Sequence, residues 1–217
     1  KASRKKNRVG SSIDWNEVFR IINMVRDEIR DNFPYKVMHQ QGCEADDVIA
    51  QIALETQEFG KHEPVMIVSA DKDFIQLQKH KNIRQFSPMT KKYVSDPNPN
   101  KYLTEHIFRG DGGDGVPNVL SDDNVFVDGR RQSPVTKKKI EAWLSSKDMQ
   151  DTMGADIYRN YQRNQRMIDL TFTPDNIKKE IIATYEAQDP AGNRSKVFPY
   201  LISKRCKLLL ESVQEFI

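Results

Sequence analysis

The sequence predicts an α/β chain in which a parallel-sheet core is followed by a helical region. Three observations carry this. Strand and helix patterns alternate through residues 1–100. The run Pro64–Ser69 (PVMIVS) is mostly apolar and too short for a helix, so it reads as a buried parallel strand. From residue 101 to residue 217 apolar residues recur mainly at helical spacing. The expected domains are therefore an α/β core over 1–100 and a helical region over 101–217.

Asp14 followed by Glu17 reads as a capping box, and Val18, Ile22, Val25 and Ile29 continue at helical spacing to about Asn32, where Pro34 ends the helix. Tyr35–His39 is a short strand candidate. A second helix is expected over Glu44–Phe59, with Val48, Ile49, Ile52 and Ala53 on its apolar side and Gly60 as its stop. Asp71–Gln78 resembles a short helix opening at the carboxyl end of the strand Pro64–Ser69, and Ile83–Phe86 a further strand. Ser95–Asn100 (SDPNPN) is turn chemistry and reads as a surface loop. Helices are then expected over Leu103–Phe108, Pro134–Leu144, Asp156–Ile168, Asp175–Tyr185 and Lys204–Phe216.

The chain is 37% hydrophobic and 30% charged, which fits a globular protein with a heavily charged surface. No apolar run approaches the roughly 20 residues that cross a bilayer, so no membrane role is expected. Cys43 and Cys206 fit no metal-ligand spacing and suggest reduced thiols in a cytoplasmic compartment. The 34 basic and 31 acidic residues leave a net charge of only +3, but they are unevenly placed. Lys1, Arg4, Lys5, Lys6 and Arg8 form a basic arm, and Arg130, Arg131, Lys137, Lys138 and Lys139 a second basic cluster. Acids lie between them. Such an arrangement suits a polyanion held against bound cations, although most charge runs are simply solvated faces. The chain opens on Lys1 rather than Met, which suggests a fragment, a processed product or a trimmed chain.

Three acidic clusters stand at element boundaries. Glu44-Ala45-Asp46-Asp47 opens a helix, Asp71-Lys72-Asp73 follows a strand, and Asp111-Gly112-Gly113-Asp114 forms a glycine-rich turn. Any one could be an ordinary helix cap. Together they suggest a metal site at the strand ends, where open sheets bind ligands. Glu44 and Asp46 are two apart on a helix and cannot both face one ion. One of them binds directly and the other through water, as suits Mg²⁺. Hard oxygen donors without Cys/His spacing favour Mg²⁺ or Mn²⁺ over zinc. Two Mg²⁺ ions about 4 Å apart can activate a water and stabilise the leaving oxygen of a phosphodiester. Ser133 as N-cap and Pro134 at the first helical position would present free amides beside Lys137, Lys138 and Lys139, a phosphate site. Tyr93, Tyr158 and Tyr161 read equally as packing residues and as stacking platforms.

GCEADDVIA, VSADKDFIQL and RGDGGDGVPNV, in this order, resemble the three acidic motifs of the 5′ nuclease (flap endonuclease) family. The resemblance covers most of the chain up to about Val119. RQFSPMTKKYV and ISKRCKLLLESVQEF are similar to the T-even bacteriophage branch, whose members have ribonuclease H activity. It implies a PIN-like 5′ nuclease core followed by a variant helix–three-turn–helix. It also implies a two-ion, Mg²⁺-dependent 5′ to 3′ exonuclease and flap endonuclease that removes RNA primers and adjoining DNA from lagging strands. Gly115 stands where the family has Asn, and an insertion from Ser121 to Arg131 replaces the usual G-x-G hairpin.

On this reading Asp46 and Asp71 serve the ion that activates water, and Asp73, Asp111 and Asp114 the second. Glu44 and Asp47 support them, and Asp46, Asp71, Asp73 and Asp114 are the catalytic set. Implied partners are DNA and RNA–DNA hybrids (flap, fork, nicked duplex), with a phage single-stranded DNA-binding protein and a sliding clamp as further candidates, in the cytoplasm of a host cell. Two further acids of the family are expected upstream of Lys1, with the basic arm as the end of the family's arch, so this chain alone is expected to cut poorly. A non-catalytic nucleic-acid-binding module and another PIN-type ribonuclease are the competing readings.

Overall fold

Asp14 starts the first helix as its position suggests. In the computed structural model, which describes residues 12–58 and 61–216, its carboxylate accepts the backbone N–H groups of Asn16 and Glu17 at 3.0 and 3.2 Å. Helix α1 then runs Trp15–Asn32. Glu17 does not complete the anticipated reciprocal cap but takes the Arg20 guanidinium, with both contacts at 2.7 Å. The basic arm Lys1–Arg8 and the predicted stop Gly60 lie outside the described residues.

The described chain folds as two units, one spanning Gly42–Lys178 and the other residues 12–41 and 179–216. In the second unit the apolar stripe of α1 is mostly exposed, Ile22 at 56%. Only its carboxyl end is drawn into a core, where Ile29 and Phe33 pack with Val197 and Leu201. Tyr35–His39 departs from expectation. It joins no sheet among the described residues. Its polar groups are satisfied by side-chain contacts instead: Val37 N–H donates to Gln188 Oε1 at 2.9 Å and Lys36 Nζ to the Tyr185 carbonyl at 2.7 Å. The expected helix Lys204–Phe216 is also broken. A helix over Arg194–Ser203 ends in a turn with Arg205 at φ 56°, and the Cys206 N–H returns to the Leu201 carbonyl, before a short helix over Lys207–Glu211.

The first unit holds the sheet. Helix α2 (Ala45–Glu55) precedes β1 (Val65–Val68), and a 3₁₀ helix over Lys72–Lys79 separates it from β2 (Ile83–Ser87). β1 and β2 are parallel, with Val65 opposite Ile83. A third strand, β3 (Lys92–Val94), which no sequence pattern announced, folds back antiparallel with Phe86 opposite Tyr93. The strand order is β1-β2-β3. Among the described residues β1 stands at the edge of the sheet, and of its side chains only Ile67 is buried, while Val68 is 65% exposed. The expected buried parallel strand is parallel, but only part of it is buried. Its inner residues pack with Ala50, Ala53, Phe74, Leu77 and Ile83.

Helix α3 begins at Pro99, not Leu103, because Asn98 caps it by accepting the Lys101 N–H at 3.0 Å; it runs to Arg109. Helix α4 spans Lys137–Leu144 with Thr136 as N-cap. Ser133 and Pro134 do not open it as predicted, since Ser133 N–H donates to Ser121 Oγ and its carbonyl accepts from Asn118. Helices α5 (Met149–Met153), α6 (Ala155–Ile168) and α7 (Asp175–Glu186) follow. Phe108 and Val119 pack with Ile140, Trp143 and Met153, and Tyr158 and Tyr161 line this core rather than offering free faces. Chain class and helical second half are as the sequence indicates.

Candidate metal centre

Each acidic cluster is held by its own local geometry and by a buried polar side chain from elsewhere. Asp71 leaves β1 and caps the 3₁₀ helix, its carboxylate accepting the Asp73 N–H at 3.0 Å. The buried Gln85 amide donates to the carbonyls of Ser69 and Asp71 at 2.9 and 2.5 Å, fixing the turn from below. Asp73 follows two residues on. Gln76, also buried, donates to the Ile168 carbonyl and accepts from Leu170 N–H, both at 3.0 Å. That ties the 3₁₀ helix to the end of α6. A buried amide paired at both ends is worth keeping, because leaving either partner unmet costs about 1–3 kcal/mol.

At the start of α2, Asp47 is fully engaged. One oxygen accepts the Glu44 N–H at 3.0 Å and the other the Thr173 hydroxyl at 2.8 Å. Its support is thus structural in form. Asp46 is half-buried, and burial together with the charges of Asp71, Glu44 and Asp47 raises its carboxyl above the usual range. Glu44 stays exposed.

The third cluster sits at the end of α3. Gly110 at φ 67° caps the helix so closely against the chain that an added Cβ would lie 2.5 Å from the Val116 carbonyl oxygen. Asp111 accepts the Asp114 N–H at 3.1 Å and bridges antiparallel to Val116. Gly115, where the resembled family carries Asn, has φ 77°, a left-handed conformation both residues tolerate. The fully buried Asn164 of α6 donates to the carbonyls of Ile107 and Pro117 at 2.8 Å each, clamping both sides of this turn.

Asp46, Asp71, Asp73 and Asp111 share one field. The Asp73 carboxyl is pushed up to about 6, chiefly by burial, with the charges of Asp71, Asp111 and Asp46 adding to it and His106 opposing them. Tyr102 is raised by its own burial and by the charges of Asp73, Asp96, Asp111 and Asp71. Asp114 is exposed and belongs to the turn.

One residue escaped the sequence reading. His106 lies between two carboxylates, Nδ1 3.4 Å from Asp73 and Nε2 3.5 Å from Asp111. Asp73, His106 and Asp111 present ligand atoms all within 4.8 Å of one another. The only sequence signal is a histidine one helical turn before Gly110, and a lone helical histidine is usually structural. Oxygen donors with one imidazole fit a divalent cation, which would offset both the burial of Asp73 and the lesser repulsion from Asp71, Asp111 and Asp46.

The second basic cluster divides. Arg130 is already engaged by Asp122 at 3.0 Å and Asp128 at 3.2 Å, with Asn124 accepting as well. Asp123 of the same insertion is taken by Arg159 and Arg163 of α6. Arg131 is exposed. Lys137, Lys138 and Lys139 form the exposed first turn of α4. Cations there oppose the helix dipole by about 0.3–1 kcal/mol each unless an anion joins them.

The chain matches two family descriptions, "5'-3' exonuclease, N-terminal resolvase-like domain" over residues 4–105 and "T4 RNase H, C terminal" over residues 99–216. It is 31% identical over 222 residues to the ribonuclease H of Enterobacteria phage T4, the match covering 100% of this chain and 72% of that protein. Among the described residues no helix is long and apolar enough to cross a membrane.

Proposed function

The chain belongs to the family of 5′-3′ exonucleases with a T4 RNase H-type C-terminal domain, and from that membership we propose that it is a metal-dependent 5′ to 3′ exonuclease and flap endonuclease. Its substrates are RNA primers and DNA 5′ ends during lagging-strand replication, met in the host cytoplasm. The carrying observation is that Asp73, His106 and Asp111, from two separate segments, present ligand atoms all within 4.8 Å of one another, with Asp71 and Asp46 adding their charges to Asp73. Buried carboxylates so close together repel one another when ionised, and a divalent cation would relieve that repulsion.

Asp46 and Asp71 would hold one Mg²⁺, Asp73, Asp111 and Asp114 would hold the second, and Mn²⁺ could substitute. When bound, such ions supply an activated water and charge stabilisation for the leaving oxygen. His106, between Asp73 at 3.4 Å and Asp111 at 3.5 Å, keeps both carboxylates oriented. Gln85, Gln76 and Asn164 hold the three segments in register. Glu44 adds charge at the rim, and Asp47 secures the start of α2. The two family matches meet near residue 100, which supports a metal-binding part over 1–100 and a duplex-gripping part over 101–217. In the latter, Lys137, Lys138 and Lys139 contact phosphates without reading sequence, and Arg131 and the arm Lys1, Arg4, Lys5, Lys6, Arg8 add to the field. A phage single-stranded DNA-binding protein and a sliding clamp are candidate partners.

The test is hydrolysis of a 5′-labelled RNA-primed duplex and a 5′ flap in Mg²⁺ or Mn²⁺, alongside Mn²⁺ line broadening. Mn²⁺ broadening in the parent is expected, and it should vanish in Asp71→Asn with Asp73→Asn together with whatever 5′ products the parent forms. Products that persist in the double variant or without a divalent ion would refute the reading.

A further inference from the structure

Three cavities of the first unit lie in a row, and tyrosines stand at their junctions. The first, about 590 Å³, runs along α3 and includes His106 and Lys101 in its wall. Tyr102 is common to it and to the second, about 510 Å³, where Lys72 and Lys92 contribute. Tyr93 is common to the second and the third, about 270 Å³, which Arg84 borders. The first cavity adjoins the carboxylates through His106, which lies 3.4 Å from Asp73 and 3.5 Å from Asp111 and meets Tyr102 edge to face at 5.9 Å.

We infer that this row is a track for single-stranded nucleic acid, the displaced 5′ strand of the substrate proposed above; the inference rests on that reading. Two features point to this class of ligand. Tyr93 is 63% exposed at the middle of β3, propped edge-on by Phe86 at 5.6 Å, so a large aromatic surface is kept in water at a fixed place. Tyrosines of the helical core, such as Tyr161, are instead packed away. The second feature is charge. Arg84, Lys72, Lys92 and Lys101 are all exposed, and none is in an ion pair among the described residues. The acids of the wall are otherwise occupied: Asp96 accepts the Asn98 N–H at 2.8 Å, and Glu105 pairs with Arg109 at 3.5 Å. Cations alternating with aromatic faces bind single strands with little sequence preference, because every base has a π-face and every linkage a charge. A duplex would not use Tyr93 in this way, since its bases are already stacked on one another.

Fluorescence anisotropy of a labelled thymidine oligomer and of a blunt duplex, both without divalent ions, tests the track. Tyr93→Ala should weaken oligomer binding by about 5- to 100-fold and leave the duplex affinity unchanged. Tyr93→Phe, which keeps the ring and its packing on Phe86, should bind the oligomer like the parent. Lys92→Ala should reduce the log–log salt slope for the oligomer by about 0.7. Oligomer affinity that ignores Tyr93→Ala, in a parent that still binds the duplex and broadens with Mn²⁺, overturns the track alone. A parent that binds neither Mn²⁺ nor nucleic acid overturns the nuclease reading and the track with it.

Discussion

Replacing Asp73 by Asn should stabilise the metal-free protein while abolishing its response to metal. The Asp73 carboxyl moves from an ordinary 3.8 to about 6 in the fold. At about 1.36 kcal/mol for each tenfold change in proton affinity, this corresponds to about 3 kcal/mol of unfavourable free energy when the group is ionised. Its side chain is only 19% exposed, so solvent screens little of this. The amide also gives up the contact with His106, which lowers the expected gain to about 1–3 kcal/mol. The sign follows from linkage. A carboxyl whose folded value is raised favours the fold below the unfolded value, and that contribution is lost as pH rises through about 6. The gain from Asp73→Asn should therefore be largest near pH 7.5 and close to zero near pH 4. For a chain of this size each kcal/mol shifts the melting temperature by about 2–4 °C. Calorimetric melts in chelator at both pH values, then with Mg²⁺ at the higher one, provide the assay. Mg²⁺ should raise the parent and not the variant. A variant that melts at or below the parent at the higher pH, or a gap independent of pH, would refute the electrostatic argument.

The turn that carries Asp111 should depend on Gly110. Gly110→Ala places a Cβ 2.5 Å from the Val116 carbonyl oxygen at φ 67°, so urea unfolding should lose roughly 2 kcal/mol or more and Mn²⁺ affinity should fall with it; unchanged stability would mean that the close approach is not maintained. Lys137→Ala with Lys138→Ala should weaken duplex binding alike for all sequences and flatten its log–log salt slope by about 1.8, from about 0.9 per phosphate contact. A slope equal to the parent's would make these lysines ordinary solvated surface.

The sequence by itself determined what is encoded within a few residues. Asp14 and Pro34 bracket α1, PVMIVS contains β1, and the three acidic motifs stand out because each is a short run at an element boundary. Chain class and family could be read from these local patterns, as caps, turns and periodicity depend on near neighbours. Thr136 displaced Ser133 as a cap only because Ser133 is held by Ser121 and Asn118, contacts that no local rule contains. The ion pairs of Arg130 with Asp122 and Asp128 follow from how the insertion folds, which no local pattern in the sequence contains. β3 is three residues long and acquires its identity from pairing with β2. His106 gained its place between Asp73 and Asp111 when α3 packed beside the 3₁₀ helix, with 33 positions separating it from Asp73 in sequence. The buried amides that hold the site reach still further, Gln76 to Ile168 and Asn164 to Ile107. Such contacts exist only once hydrophobic burial has brought distant segments together, since a polar side chain selects its partner from whatever unsatisfied group the packed core leaves within hydrogen-bond reach.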